Sequence, residues 1–122
     1  MALVNQQSGP NPAIERRRLC ALNDLSTDMP KRIIIDDLKL SVSSINGAVY
    51  AVNDMCTHAN YSLSEGHVNP EELTIECWKH GAEFCLVSGK ALTLPATRPL
   101  NTFATEIESG EVFVYIPKKG QQ

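Results

Sequence analysis

Two short segments carry the side chains in this chain that could do chemistry. The first is Cys56-Thr57-His58, and after 18 intervening residues comes Cys77-Trp78-Lys79-His80. Each segment offers one thiolate and one imidazole, both of which are ligands for zinc and for iron–sulfur clusters. The sequence therefore predicts a metal centre held from two sides, with Cys56, His58, Cys77 and His80 as its ligands.

Two kinds of metal centre fit a set of two cysteines and two histidines. A mixed-ligand [2Fe–2S] cluster takes two sulfur ligands on one iron and two nitrogen ligands on the other. Structural zinc is the alternative, but zinc fingers usually place two cysteines in one knuckle and two histidines in the other. Because each segment here supplies one of each, the spacing favours the cluster. A zinc-stabilised interaction module without redox function remains the competing hypothesis.

The composition indicates one soluble domain and excludes several classes of protein. The chain has 122 residues, a net charge of −3 and a pI near 5.5, which argues against a nucleic-acid partner. No stretch approaches the roughly 18 to 20 apolar residues of a membrane span, and the first residues do not resemble an export signal. We therefore expect a cytoplasmic protein, whose four cysteines are metal ligands or reduced thiols rather than disulfides.

The pattern of apolar stretches and turn residues predicts an all-β, antiparallel protein with little helix. Asn46-Gly47 is the strongest hairpin signal, because both central positions of such a turn need a positive φ. Ser88-Gly89 and Ser109-Gly110 are weaker signals of the same kind, and residues 69–73 could form one helical turn. The short apolar stretches are residues 19–22, 33–35, 40–45, 48–52, 73–75, 84–87, 102–107 and 112–116.

This map divides the chain into a flexible leader, one domain and a flexible tail. Residues 1–15 are polar and contain Pro10 and Pro12, and residues 118–122 are equally polar. The domain is therefore predicted to span residues 16–117. Within it, both ligand segments lie at loop tips that follow apolar stretches, so they can face each other at one end of a small sandwich or barrel.

Residues 18–116 resemble the Rieske-type ferredoxins of bacterial multicomponent aromatic-ring-hydroxylating dioxygenases. Beyond the two ligand segments, the resemblance includes three further motifs. These are Ser62-Leu63-Ser64-Glu65-Gly66, Gly81-Ala82-Glu83-Phe84 and the proline-rich Pro95-Ala96-Thr97-Arg98-Pro99-Leu100. The last resembles the family's loop that covers the cluster.

The resemblance implies a small antiparallel Rieske-type sandwich or barrel with two cluster-binding loops at one end. It implies one [2Fe–2S] cluster, with Cys56 and Cys77 on one iron and His58 and His80 on the other. The implied function is electron transfer rather than catalysis, by a monomer that has two partners. These are an NAD(P)H-dependent, flavin-containing reductase and a terminal Rieske non-haem iron oxygenase. A Rieske small subunit of another oxidoreductase complex is the alternative.

The resemblance also predicts a low reduction potential. High-potential relatives carry an extra cysteine in each ligand loop, which form a disulfide, where this chain has Tyr61 and Lys79. They also carry serine and tyrosine hydroxyls that bond the cluster sulfurs, where this chain has Ala82 and Phe84. Because such hydrogen bonds stabilise the reduced state, we expect a potential around −150 mV rather than +300 mV.

Several other residues could react but have simpler structural interpretations. Cys20 and Cys85 lie in apolar stretches and are expected to be buried, inert thiols. His67 is expected to be an exposed loop residue. Four carboxylates between the ligand segments could surround the cluster end as an acidic collar, although a solvated loop is the commoner outcome. They are Glu65, Glu71, Glu72 and Glu76.

Overall fold

The structure, a computed structural model, describes residues 13–26, 29–56, 61–79, 81–94 and 98–118. These ranges contain ten strands, all paired antiparallel, so the predicted all-β fold is confirmed. The strands are β1 Ile14–Ala21, β2 Lys31–Ile35, β3 Leu38–Ile45, β4 Ala48–Asn53, β5 His67–Asn69, β6 Thr74–Glu76, β7 Glu83–Cys85, β8 Thr102–Phe103, β9 Thr105–Glu108 and β10 Glu111–Pro117.

Helix is confined, within those ranges, to two 3-10 turns, Leu22–Asp24 and Leu63–Glu65. Neither comes near the length of a membrane-spanning helix.

The strands form three sheets. Two of them, β1-β10-β9 and β2-β3-β4-β8, pack their apolar faces together as a sandwich. The third sheet, β5-β6-β7, is short, and the second ligand segment connects two of its strands. This small sheet therefore forms the end of the molecule at which the predicted metal centre lies.

Two of the three predicted hairpin turns join neighbouring strands directly. Asn46 and Gly47 have φ values of 52° and 85° between β3 and β4, and Ser109 and Gly110 have 52° and 78° between β9 and β10. Paired positive φ values define the tight hairpin turn that matches strand twist. The third predicted turn, at Ser88-Gly89, follows β7. The chain after it forms only an isolated bridge, between Phe84 and Ala91, and not a full strand.

Strand β1 already includes Ile14, which pairs with Pro117, and the Lys118 amide donates to the Ala13 carbonyl. The domain bounds of 16–117 stay a prediction, whereas the helical turn predicted at residues 69–73 was wrong. Residues 69–73 form a hydrogen-bonded turn rather than a helical one, because the Asn69 side-chain oxygen accepts from the next two free amides. The leader and tail proper, residues 1–12 and 119–122, lie outside the described residues.

Buried side chains form two separate cores. One fills the sandwich and includes Val42, Ala51 and Val114. The other lies between the sandwich and the small sheet and includes Leu63, Ile75 and Phe84, together with both predicted thiolate ligands. The predicted metal centre is thus built on a core of its own.

Candidate metal centre

Each ligand segment is a short loop that backbone hydrogen bonds close just beneath its tip. In the first, the Cys56 amide donates to the Tyr61 carbonyl at 3.0 Å, and Met55 forms an isolated bridge with Ser62. The residues between, 57–60, lie outside the described part of the chain and include His58. The first loop is thus closed at Cys56, the residue from which its tip begins.

The second loop connects β6 to β7. The Cys77 amide donates to the Ala82 carbonyl at 2.7 Å, and the Gly81 amide donates to the Cys77 carbonyl at 3.0 Å. A positive φ of 75° at Gly81 allows this tight return, which a residue with a side chain would adopt only with strain. The predicted ligand His80 lies outside the described residues.

The structure brings the two predicted cysteine ligands into the same core. Cys56 and Cys77 are only 2% and 1% exposed, and neither forms a disulfide. They come from loops on different strands, yet they pack in one buried group of apolar side chains. Among the described residues no three His, Cys, Asp or Glu side chains converge as a metal site, so these two thiols are the described half of the predicted ligand set.

A buried carboxylate organises the base of the first loop. Asp54 accepts hydrogen bonds from the hydroxyl groups of Ser62 and Ser64, both at 2.5 Å, and from the Ser64 amide at 2.9 Å. Its own backbone carbonyl accepts from the Leu63 amide at 2.6 Å. Asp54 therefore joins the chain just before the loop to the chain just after it.

Sequence reasoning missed the role of Asp54, although signals were present. An aspartate two positions before a ligand, followed by two serines beyond the loop, is a set of groups that can bond one another locally. The sequence analysis used Ser62 and Ser64 only as part of a family motif. What no sequence pattern shows is the additional ion pair from Arg32 on β2, whose Nε lies 3.3 Å from an Asp54 oxygen.

Gly66 lets the backbones beside the two loops approach closely. A Cβ atom added at this position would overlap the carbonyl oxygen of Glu76, the residue before Cys77. The first loop and the end of β6 are therefore in backbone contact, and only glycine fits between them.

An open cleft of about 340 Å³ lies beside the second loop. Its walls combine apolar and acidic groups and include Cys77. The other lining residues are Met29, Glu65, Gly66, His67, Glu76, Trp78 and Gly81. The cleft therefore opens beside one of the predicted thiolate ligands.

The suggested acidic collar is only partly present. Glu65 and Glu76 line the cleft, whereas Glu71 and Glu72 lie on the turn at the opposite end of the β5-β6 hairpin. His67 is exposed as expected, but it belongs to strand β5 and pairs with Glu76. The carboxylates close to the centre are thus those of Glu65 and Glu76.

The proline-rich segment is anchored on both sides. Before it, the Thr93 hydroxyl lies 3.3 Å from the Gly81 carbonyl and accepts the Glu83 amide at 2.9 Å. After it, the buried Leu100 donates its amide to the Gly89 carbonyl at 2.7 Å. Residues 95–97, predicted to cover the cluster, lie outside the described residues. The flank before them is fixed beside the second ligand loop, and the flank after them is fixed at the turn that follows β7.

The other two cysteines differ from each other. Cys20 is buried, as predicted, and burial raises the pKa of its thiol. Cys85 is only partly buried, so the prediction of a buried, inert thiol was wrong for it. Hydrogen bonds from the Ser88 hydroxyl and from the turn amides lower the pKa of the Cys85 thiol, because they stabilise the thiolate.

The residues present fit a mixed-ligand [2Fe–2S] cluster. Two reduced thiols from two loops meet in one apolar core, which is the arrangement that a cluster bridging those loops requires. Ala82 and Phe84 are fully buried in the same core, and neither side chain carries a group that could donate a hydrogen bond. Fold and site together define a small β-sandwich whose one end is built to hold an iron–sulfur centre.

Comparison with known proteins agrees with this class. The family model for the Rieske [2Fe-2S] domain matches residues 15–104. The 3-phenylpropionate/cinnamic acid dioxygenase ferredoxin subunit of Escherichia coli (strain K12) is 44% identical over 79 residues, which cover 65% of this chain and 74% of the relative.

Two solved structures have the same fold. The ferredoxin of carbazole 1,9a-dioxygenase from Nocardioides aromaticivorans IC177 superimposes with a TM-score of 0.80 at 28% identity, covering 84% of this chain and 98% of that one. A ferredoxin in a complex of reduced oxygenase and oxidized ferredoxin of carbazole 1,9a-dioxygenase gives 0.73 at 33% identity, covering 85% and 94%. This chain belongs to the Rieske [2Fe-2S] family.

Proposed function

We propose that this protein is a Rieske ferredoxin that carries single electrons within an aromatic-ring-hydroxylating dioxygenase system. Its donor is an NAD(P)H-dependent, flavin-containing reductase, and its acceptor is a terminal Rieske non-haem iron oxygenase. The related ferredoxin subunit from E. coli and the ferredoxin–oxygenase complex of carbazole 1,9a-dioxygenase support this function. The observation that carries it is the pair of buried cysteines, Cys56 and Cys77, which come from two different loops and lie in one core without a disulfide.

The proposed site holds one cluster, with Cys56 and Cys77 on one iron and His58 and His80 on the other. When bound, the cluster accepts and releases one electron at a time. The apolar core excludes water from the sulfur ligands. Ala82 and Phe84, in the same core, have no hydroxyl group that could donate a hydrogen bond to the cluster. The potential expected from that environment is near the low end of the Rieske range, about −150 mV.

The proposal also includes a monomer in the cytoplasm. None of the four cysteines forms a disulfide, which is the state that a reducing compartment maintains. A shuttle must bind two partners in turn, so its contacts should be transient and small. Gel filtration of the purified protein distinguishes this from a permanent subunit, which would co-purify with a larger chain.

The first test is spectroscopic. The purified protein should be red-brown, and reduction by dithionite should produce the anisotropic EPR signal of a reduced Rieske cluster. Cys77→Ser and His80→Ala should each abolish this signal, whereas His67→Ala, which changes a nearby exposed histidine, should leave it unchanged. A colourless protein that retains stoichiometric zinc would contradict the electron-transfer function and support the zinc module.

The second test concerns the partners. The protein can be added to the reductase and oxygenase components of the E. coli 3-phenylpropionate dioxygenase in place of their own ferredoxin. NADH-dependent formation of oxidised product would support the proposed position between reductase and oxygenase. If the reductase reduces the cluster-loaded protein but no oxidised product forms, the protein passes its electrons to a different acceptor.

A further inference from the structure

An aromatic contact joins the two ligand loops beside their ligands. The rings of Tyr61 and Trp78 pack edge to face, with centroids 5.4 Å apart and planes at 83°. Tyr61 follows the tip of the first loop and accepts the Cys56 amide through its carbonyl, while Trp78 is the residue next to Cys77. The contact therefore spans the two loops at positions adjacent to the predicted thiolate ligands.

The Lys79 side chain completes this contact. Its Nζ lies 5.6 Å from the centroid of the Trp78 ring and 5.9 Å from that of Tyr61, within the range of a cation–π interaction with both. One cation over two rings from different loops adds a further attraction between them.

Burial in the core does not by itself account for this group of three residues. Tyr61 packs against the core that contains Cys56 and Cys77, but Trp78 is 49% exposed, and neither Trp78 nor Lys79 belongs to that core. The edge-to-face contact of Trp78 with Tyr61 therefore lies at the surface of the core, where it joins the two loops. None of the four cysteines forms a disulfide, so no disulfide joins these loops.

We propose that Tyr61, Trp78 and Lys79 form a clasp that holds the two ligand loops at the separation the cluster needs. The inference rests on the proposed function, because each loop is taken to supply one sulfur and one nitrogen ligand. Opening the loops would stretch the ligands of both irons at once and speed their dissociation. The three residues act through the loops as positioning residues and do not themselves bind the cluster. Because the clasp contains no sulfur, cellular thiols cannot reduce it.

The test is a double-mutant cycle on the cluster-loaded protein. Tyr61→Leu, Trp78→Leu and the double variant are compared for the rate at which the visible absorbance of the oxidised cluster decays in a chelating buffer. Each single change should speed the decay by roughly two- to tenfold, the range that corresponds to one aromatic pair. The double variant should decay no faster than the faster single variant, because the contact can be lost only once.

Two further variants and three further readouts separate positioning from general stability. Tyr61→Phe keeps the ring contact and should retain nearly the original decay rate. Leu94→Ala removes a 79% exposed apolar side chain near the second loop and serves as the matched control. In the Leu variants the EPR line shape of the reduced cluster and the midpoint potential should change. The urea midpoint of global unfolding should not.

The possible failures can be told apart. A protein that never takes up a cluster would overturn the proposed function, and the clasp with it. A cluster-loaded protein in which the two Leu substitutions have independent, multiplying effects on decay, or no effect, would overturn the clasp alone. An unchanged EPR line shape together with a lower unfolding midpoint would show that the contact only stabilises the fold, and this too would overturn the clasp.

Discussion

Arg32 on strand β2 places its Nε 3.3 Å from Oδ2 of Asp54, a carboxylate that is only 3% exposed. The arginine side chain itself is 47% exposed. A buried carboxylate is costly unless its oxygens are bonded, and here Ser62, Ser64 and Arg32 all bond it. The Asp54 carboxylate therefore fixes the base of the first ligand loop. It binds Arg32 of the sandwich and the two serines that follow the loop.

Removing the Asp54 carboxylate should destabilise the part of the protein that carries the two ligand loops. We expect Asp54→Ala to lower the free energy of unfolding by about 2 to 3 kcal/mol, because two serine hydroxyls lose a charged acceptor. Arg32→Gln should cost less than about 1 kcal/mol, since water can replace a half-exposed ion pair. Urea unfolding measures both, and equal losses would contradict the central role assigned to Asp54.

Gly66→Ala should lower the free energy of unfolding more than a glycine substitution on an open turn does. The added methyl group would overlap the Glu76 carbonyl oxygen, and both are backbone positions that cannot easily move, so we expect a loss of about 3 kcal/mol. Gly110→Ala is the control, because nothing lies near its added Cβ and only the positive φ causes strain, about 1 kcal/mol. Comparable losses in urea unfolding would show that the close approach is not rigid.

Adding hydroxyl donors to the core should raise the reduction potential. Ala82→Ser with Phe84→Tyr places two hydroxyls among the residues that surround Cys56 and Cys77. A hydrogen bond to a charged group is worth at most about 60 to 130 mV per donor for a one-electron couple. A redox titration measures the shift, with Val87→Thr at an exposed site as the control. An unchanged midpoint would refute this account of the low potential.

Cys85 should react with alkylating reagents sooner than Cys20 as the pH rises. A lower pKa gives more thiolate at any pH below it, and the Cys85 pKa is lowered while that of Cys20 is raised. Mass spectrometry after brief treatment with iodoacetamide at pH 8 should find Cys85 modified first. Ser88→Ala should slow the modification of Cys85 and leave Cys20 unaffected. Equal rates in the variant and the parent would exclude the hydroxyl as the cause.

The sequence predicted features that depend on local geometry. The turn at Asn46-Gly47 is confirmed because its φ values are a property of two adjacent residues. Cys56 and Cys77 lie in one core. The ligand role of these two cysteines, like that of His58 and His80, stays a prediction.

Contacts between distant segments could not be predicted in this way. Strand β5 has a single buried apolar residue, Val68, and so gives no alternating pattern to recognise. The pairing of Tyr61 with Trp78 and of Arg32 with Asp54 depends on how loops and sheets meet in space. These contacts arise from the tertiary fold, and neither residue of a pair indicates its partner.

The division into two cores has a consequence for how the protein acquires its iron. The sandwich core contains none of the predicted ligands, so we expect the sandwich to form without the cluster. In a newly made chain, the folded sandwich is then in place before the cluster is inserted between the two ligand loops. By the same reasoning, a molecule stripped of iron by an oxidant should keep most of its shape and be refilled rather than destroyed.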